Sequence, residues 1–84
     1  MMQMVNVGFN NFVAVERIIA ILNPESAPMK RLREEARQSN ALVDATQGRR
    51  TRSIILMDTG TVVLSGIQEE TLAQRVTHTA VKDV

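Results

Sequence analysis

The sequence predicts an α+β domain: a small, mainly antiparallel β-sheet carrying two helices. Three observations lead there. Thr51 to Met57 and Thr61 to Ser65 are β-branched runs joined by Asp58-Thr59-Gly60, the signature of a hairpin. Asn23-Pro24 breaks the chain, and the segment after it has helical spacing. A second helix begins near Glu69, with Glu69 and Glu70 favourably placed in its first turn.

The elements follow in order. Met2 to Val7 reads as a short strand, and Gly8-Phe9-Asn10-Asn11 as a turn. Within Val13 to Leu22, the positions Val15, Ile18, Ile19 and Leu22 fit a helical template, whereas the β-branched run fits a buried strand. The β-branched content selects a strand over Ile18 to Leu22, after a short turn near Ala14 to Glu16. A helix then runs from Ser26 or Ala27 to about Gln38. Ser26 is its N-cap, Pro28 is tolerated in the first turn, and Asn40 takes the left-handed conformation at its end. Met29, Leu32 and Ala36 form its apolar stripe; Lys30, Arg33 and Arg37 form a basic stripe beside it. Ala41 to Thr46 is a strand, Gln47-Gly48 begins a turn, and the hairpin follows. The last helix reaches Val76 or beyond, and the tail from Thr77 to Val84 is expected to fray.

Eighty-four residues hold a single domain, 1–84. A chain this short is marginal as a monomer. No cysteine supplies a disulfide or thiolate site, and the one histidine, His78, stands near the C-terminus. The core must come from Val, Ile, Leu and Met, which favours oligomerisation as a further source of burial. The longest apolar run, Ile18 to Leu22, is too short to span a bilayer. A basic, apolar leader is not seen, so a soluble, cytoplasmic protein is expected.

The net charge of +1 hides an asymmetry. Lys30, Arg31, Arg33, Arg37, Arg49, Arg50 and Arg52 face only Glu34, Glu35 and Asp44 in the same stretch. Gly48-Arg49-Arg50-Thr51-Arg52 is the sharpest feature. Arginine offers a rigid fork of donors that suits phosphate oxygens or the guanine edge. One exposed arginine at a turn is ordinary; three beside a helix with a basic stripe point to nucleic acid. Lys30 and Arg31, in the first helical turn, are placed to reach a phosphate. Arg17 is either an edge charge covering the core, a phosphate contact, or half of an inter-subunit pair. With Phe9 and Phe12 the only aromatics, a stacking platform for single-stranded RNA is poorly supplied, which favours duplex DNA.

Catalysis finds little footing. Asp58-Thr59-Gly60 matches the loop of dimeric aspartic proteases, but 26 residues after Asp58 leave little room for flaps and a cleft, and a hairpin turn accounts for it. No nucleophile–base pair, metal-ligand spacing or phosphate-binding glycine motif is present. No cofactor, metal, membrane or small-molecule substrate is expected.

Five blocks together resemble the RemA family. They are Asn6-Val7-Gly8-Phe9, Glu16-Arg17-Ile18-Ile19-Ala20-Ile21, Pro24-Glu25-Ser26-Ala27-Pro28-Met29-Lys30-Arg31, Asp44-Ala45-Thr46-Gln47-Gly48-Arg49-Arg50-Thr51-Arg52 and Glu70-Thr71-Leu72-Ala73-Gln74-Arg75. Members regulate extracellular-matrix and biofilm genes in Gram-positive bacteria. The resemblance implies a DNA-binding transcription regulator without enzymatic activity, assembled as a ring-shaped homo-oligomer, with a fold similar to the LytTR type. It implies DNA contacts at Arg17, Arg49 and Arg50; Lys30, Arg31 and Arg52 match by motif. Gln47, where relatives carry an aromatic, and Glu69, where they carry a proline, depart from the pattern. The rival readings are an RNA-binding ring and a scaffold whose arginines meet acidic partner surfaces.

Overall fold

The structure, a computed structural model, describes the backbone of residues 2–82 and the side chains of residues 2–78. The fold is α+β, with two helices and mainly antiparallel pairing, as the sequence predicts. A four-stranded sheet lies at the centre, built from β3 (Ile18–Leu22), β4 (Leu42–Asp44), β5 (Ser53–Met57) and β6 (Val62–Ser65) in the order β3-β5-β6-β4. β3, β5 and β6 pair antiparallel; β4 adds to β6 in parallel.

Strand alternation divides the central residues between two cores. On one face Ile54, Val62 and Leu64 pack with Ala36 of helix α1 (Ala27–Gln38), flanked by Met29 and Leu32. On the other, Ile55 and Val63 pack with Val5, Val7 and Leu72. That face is covered by a hairpin, β1 (Met4–Gly8) with β2 (Asn11–Ala14), and by helix α2 (Glu69–Lys82). Ile54 and Ile55 are fully buried on opposite faces, each stabilising the fold by about 1.5–3 kcal/mol.

The strand reading of Ile18 to Leu22 holds to the residue, with a 3₁₀ turn at Val15–Arg17 before it. α1 ends as its Asn40 requires. Asn40 has φ +60°, its N–H donates to Arg37 O, and Ala41 N–H donates to Ala36 O at 2.8 Å, a Schellman closure. Ser26 is the N-cap residue, but its backbone carbonyl accepts from Met29 and Lys30 while its hydroxyl makes no capping bond. The second strand of the first hairpin is unforeseen: the Asn-Asn pair marks a turn, and β2 is only four residues long, beginning at Asn11 of that pair. α2 runs past Val76 to Lys82; of the segment expected to fray, Asp83 and Val84 lie outside the described residues.

Candidate nucleic-acid interface

The path of residues 45–52 sets the site. A turn at a sheet edge is the natural expectation for the link from β4 to β5. β6 instead lies between those two strands, because β4 joins it in parallel. The link therefore crosses the C-terminal end of β6. Asp44 starts the crossing: its Oδ1 accepts from Thr46 N–H at 2.9 Å and from the Thr46 hydroxyl at 2.6 Å. These bonds, the hydroxyl first, hold the Asp44 carboxyl below its ordinary pKa, and Arg33 and Arg37 add to the effect. Gln47 and Gly48 take positive φ, +51° and +80°, and Arg49 N–H closes the turn on Thr46 O at 3.0 Å. Arg52 N–H then donates to Ser65 O at 2.8 Å, and β5 begins. Arg49, Arg50 and Arg52 are left exposed over the end of the sheet.

Two other segments arrive at the same end. The tip of the first hairpin brings Phe9 beneath Arg49, whose guanidinium carbon lies 5.9 Å from the ring centroid. The end of β3 brings Glu25, whose carboxylate accepts from Arg50 at 3.1 Å. Asn23 fixes that acid's backbone by accepting from Glu25 N–H at 2.9 Å. Two clefts flank the loop. One, of about 390 Å³, lies between Glu25, Arg50, Arg52 and Glu69; the other, of about 320 Å³, between Phe9, Arg49, Arg52 and Ile67.

Buried serines pin this end together. The Ser65 hydroxyl donates to Val7 O at 2.7 Å and accepts from Ile67 N–H at 3.1 Å. The Ser53 hydroxyl donates to Ile67 O at 2.7 Å. Both residues are wholly inaccessible, and no buried side-chain polar atom among the described residues is left without a partner. The hairpin tip, the arginine loop and the Gly66–Ile67 bend are thus tied to one another by hydrogen bonds. Ser53 and Ser65, Phe9 and Glu25 are the contributors that sequence reasoning missed; the signal for the serines was a lone hydroxyl at one terminus of each of two apolar strands, Ser53 opening β5 and Ser65 closing β6.

Arg17 is not brought to this cluster. It sits at the opposite end of β5, roughly 20 Å away at about 3.3 Å per residue. Its guanidinium meets Asp58 at 3.1 Å, and Asp58 N–H donates to Arg17 O at 2.8 Å. Asp58 is therefore a turn residue tied to Arg17. Lys30 and Arg31 are exposed in the first turn of α1; Lys30 shares a shallow depression with Arg33, Glu34 and Arg37 rather than with the loop. Glu34 pairs with Arg37 at 3.2 Å. Among the described residues no group of acids and histidine could hold a metal ion, and no helix is long and apolar enough to cross a membrane.

Fold and site together define a small α+β protein with an arginine-bearing loop held rigidly over one end of its sheet. The comparisons make the class specific. Residues 4–76 match the RemA-like family, described as extracellular matrix regulatory protein A-like. The chain is 61% identical over 76 residues to a protein of Nitratidesulfovibrio vulgaris strain Miyazaki F, covering 90% of this chain and 86% of that one. It is 57% identical over 83 residues to one of Syntrophobacter fumaroxidans, covering 98% and 88%. It is 55% identical over 75 residues to one of Fervidobacterium nodosum, covering 89% and 81%. Each carries the name "Putative regulatory protein". The chain belongs to the RemA-like family of regulatory proteins.

Proposed function

We propose that the protein is a DNA-binding transcription regulator of extracellular-matrix genes, working in the cytoplasm as a ring-shaped homo-oligomer. The observation that carries the reading is the rigid loop with Arg49, Arg50 and Arg52 exposed together. Among the described residues only Arg50 of the three makes an ion pair, and that pair is solvated on both sides. A solvated pair is worth about 0–1 kcal/mol, so an incoming phosphate displaces Glu25 at little cost. Guanidinium forks on a preorganised backbone suit phosphate oxygens and groove edges. Arg17, with Asp58 already beside it, is a weaker and separate contact. Lys30 and Arg31 supply peripheral charge.

Assembly is supported by apolar surface that one subunit leaves uncovered. A groove of about 610 Å³ runs between β2 and β4, two strands with free edges, and is lined by Val13, Val43 and Val63. Phe12 and Val43 on its walls are more than half exposed, as is Ile19 on β3 at the sheet's other edge. A second copy is the occupant that serves a ring: groove and β3 edge lie on different sides of the subunit, so a head-to-tail contact between them repeats from copy to copy, and a ring results when the rotation per contact closes. Each subunit then presents its loop to one duplex, and linkage raises avidity without new contacts.

The test is a salt series by fluorescence anisotropy on labelled duplex DNA. Arg50→Ala is expected to weaken binding and to flatten the plot of log affinity against log salt by about 0.9 for each phosphate contact removed. Arg17→Ala is expected to do less. Curves for Arg50→Ala that superimpose on the unaltered protein would remove the loop from the interface.

A further inference from the structure

We propose that Phe9 is part of the DNA contact: its ring, with the Arg49 guanidinium over it, wedges against a base-pair step in the minor groove and kinks the duplex there. The inference rests on the DNA-binding reading above and adds to it a residue and a mode of binding.

Four observations carry it. Phe9 occupies the tip of the β1–β2 hairpin with φ +52°, and Asn10 follows at +62°. Two left-handed residues make the tight hairpin turn whose preferred occupants are Asn, Asp and Gly. A phenylalanine there is strained, and such strain persists only where the surroundings fix it. The ring is also 48% exposed, so the strained residue does not repay the turn with a buried side chain. Thirdly, the tip is rigid. Val7 O accepts from the buried Ser65 hydroxyl, Gly8 N–H donates to Asn6 Oδ1 at 2.7 Å, and Asn11 Nδ2 donates to Gly8 O at 2.9 Å. Lastly, the ring faces charge: Arg49 lies over it, and the 320 Å³ cleft beside it is shared with Arg50 and Arg52.

An apolar side chain projecting from a stiff tip, flanked by arginines, has the parts of a minor-groove wedge. The phenyl group enters where two base pairs unstack, and the guanidiniums hold the narrowed backbone on either side. Such a wedge favours pyrimidine–purine steps, which kink easily, over stiff A-tracts. It needs only one ring per subunit, which fits a chain with two aromatic residues. Cation–π attraction biases the Arg49 guanidinium towards the ring.

The experiment uses the full chain and a 25-base-pair duplex labelled at both ends, read by energy transfer for bending and by anisotropy for affinity. One duplex has a central TA step and the other an A-tract. Phe9→Asn removes the ring and leaves a residue that tolerates the left-handed turn, so its melting temperature should match or exceed that of the unaltered protein. It is expected to keep its salt slope, to bind the TA duplex about tenfold more weakly, to change less than twofold on the A-tract, and to lose the bend. Phe9→Leu, which keeps an apolar wedge, is expected to retain most of the bending. Bending by Phe9→Asn equal to that of the unaltered protein overturns the wedge while leaving the DNA reading intact. A loss confined to single-stranded oligonucleotides also overturns it, in favour of base stacking. No duplex binding by the unaltered protein at low salt overturns both.

Discussion

The two ends of the central sheet carry arginines in similar exposure but in different company. At the end where β6 finishes, Arg49 lies by an aromatic ring, Arg52 is anchored through its backbone, and Arg50 pairs directly with Glu25 at 3.1 Å, both side chains well exposed. At the end where β6 begins, Arg17 is held twice by Asp58, once through the side chain and once through the backbone. An aromatic neighbour orients a guanidinium and leaves its charge available. A carboxylate fixed by a backbone bond neutralises it. Beside the neutralised end lies the apolar groove, and beside the available end lies a polar cleft. One end is suited to an anion, the other to a surface like its own.

The harshest way to break this division is to place charge in the groove. Val43→Asp puts a carboxylate on the β4 wall, where an apolar neighbour would have to desolvate it. Sedimentation should show the assembly fall to monomers at micromolar concentration. Affinity for a long duplex should drop by about 10²–10⁴ as linkage is lost, while each module keeps its loop. An unchanged sedimentation profile would take the groove out of the assembly.

A smaller effect is expected from unpinning the basic end alone. Ser65→Ala strips the donor from Val7 O and the acceptor from Ile67 N–H in a wholly buried site. The loss should be about 1–3 kcal/mol, visible as a fall in Tm of roughly 4–8 °C per kcal/mol for a domain of this size. Hydrogen exchange should quicken in Gly8 to Asn11 and Arg49 to Arg52 more than around Arg17. Equal quickening at both ends would mean that the serine supports the core generally and does not define one end.

The sequence carried the elements of this division better than their arrangement. β3, α1 and the β5–β6 hairpin were legible because local rules decide them: β-branched runs, a proline stop, an Asn at the left-handed position, a Gly at φ +86° in the turn. The arginine loop was visible as composition. Its position over the sheet end was not, since that follows from the parallel pairing of β4 with β6, a contact between Leu42–Asp44 and Val62–Leu64 that no local signal announces. The same holds for Phe9, which read only as a turn residue and a scarce aromatic, and for Glu25, which meets Arg50 across 25 positions of sequence. Arg17 belonged to the loop by resemblance alone, and distance in the sheet separates the two within one subunit.

The smallest expected effect concerns the entry to the loop. Asp44 is held below the ordinary aspartate value of 3.8 chiefly by the Thr46 hydroxyl and backbone N–H. A carboxyl depressed in the folded state contributes stability that is fully present above its unfolded pKa and is lost as pH falls through the folded one. The contribution should therefore be constant from neutral pH down to about 5 and fade as pH falls through 3.8 and below. Asp44→Asn keeps an oxygen acceptor for Thr46 but cannot titrate, so its Tm should lie slightly below that of the unaltered protein at pH 7. The gap should close as the pH is lowered towards 2.5. Because Asp44 is solvent-exposed, the gap is small, and Arg33 and Arg37 make it shrink further at high salt. A gap that widened on acidification would reverse the sign and show that the protonated carboxyl, not the carboxylate, sets the turn from which Arg49 to Arg52 are launched.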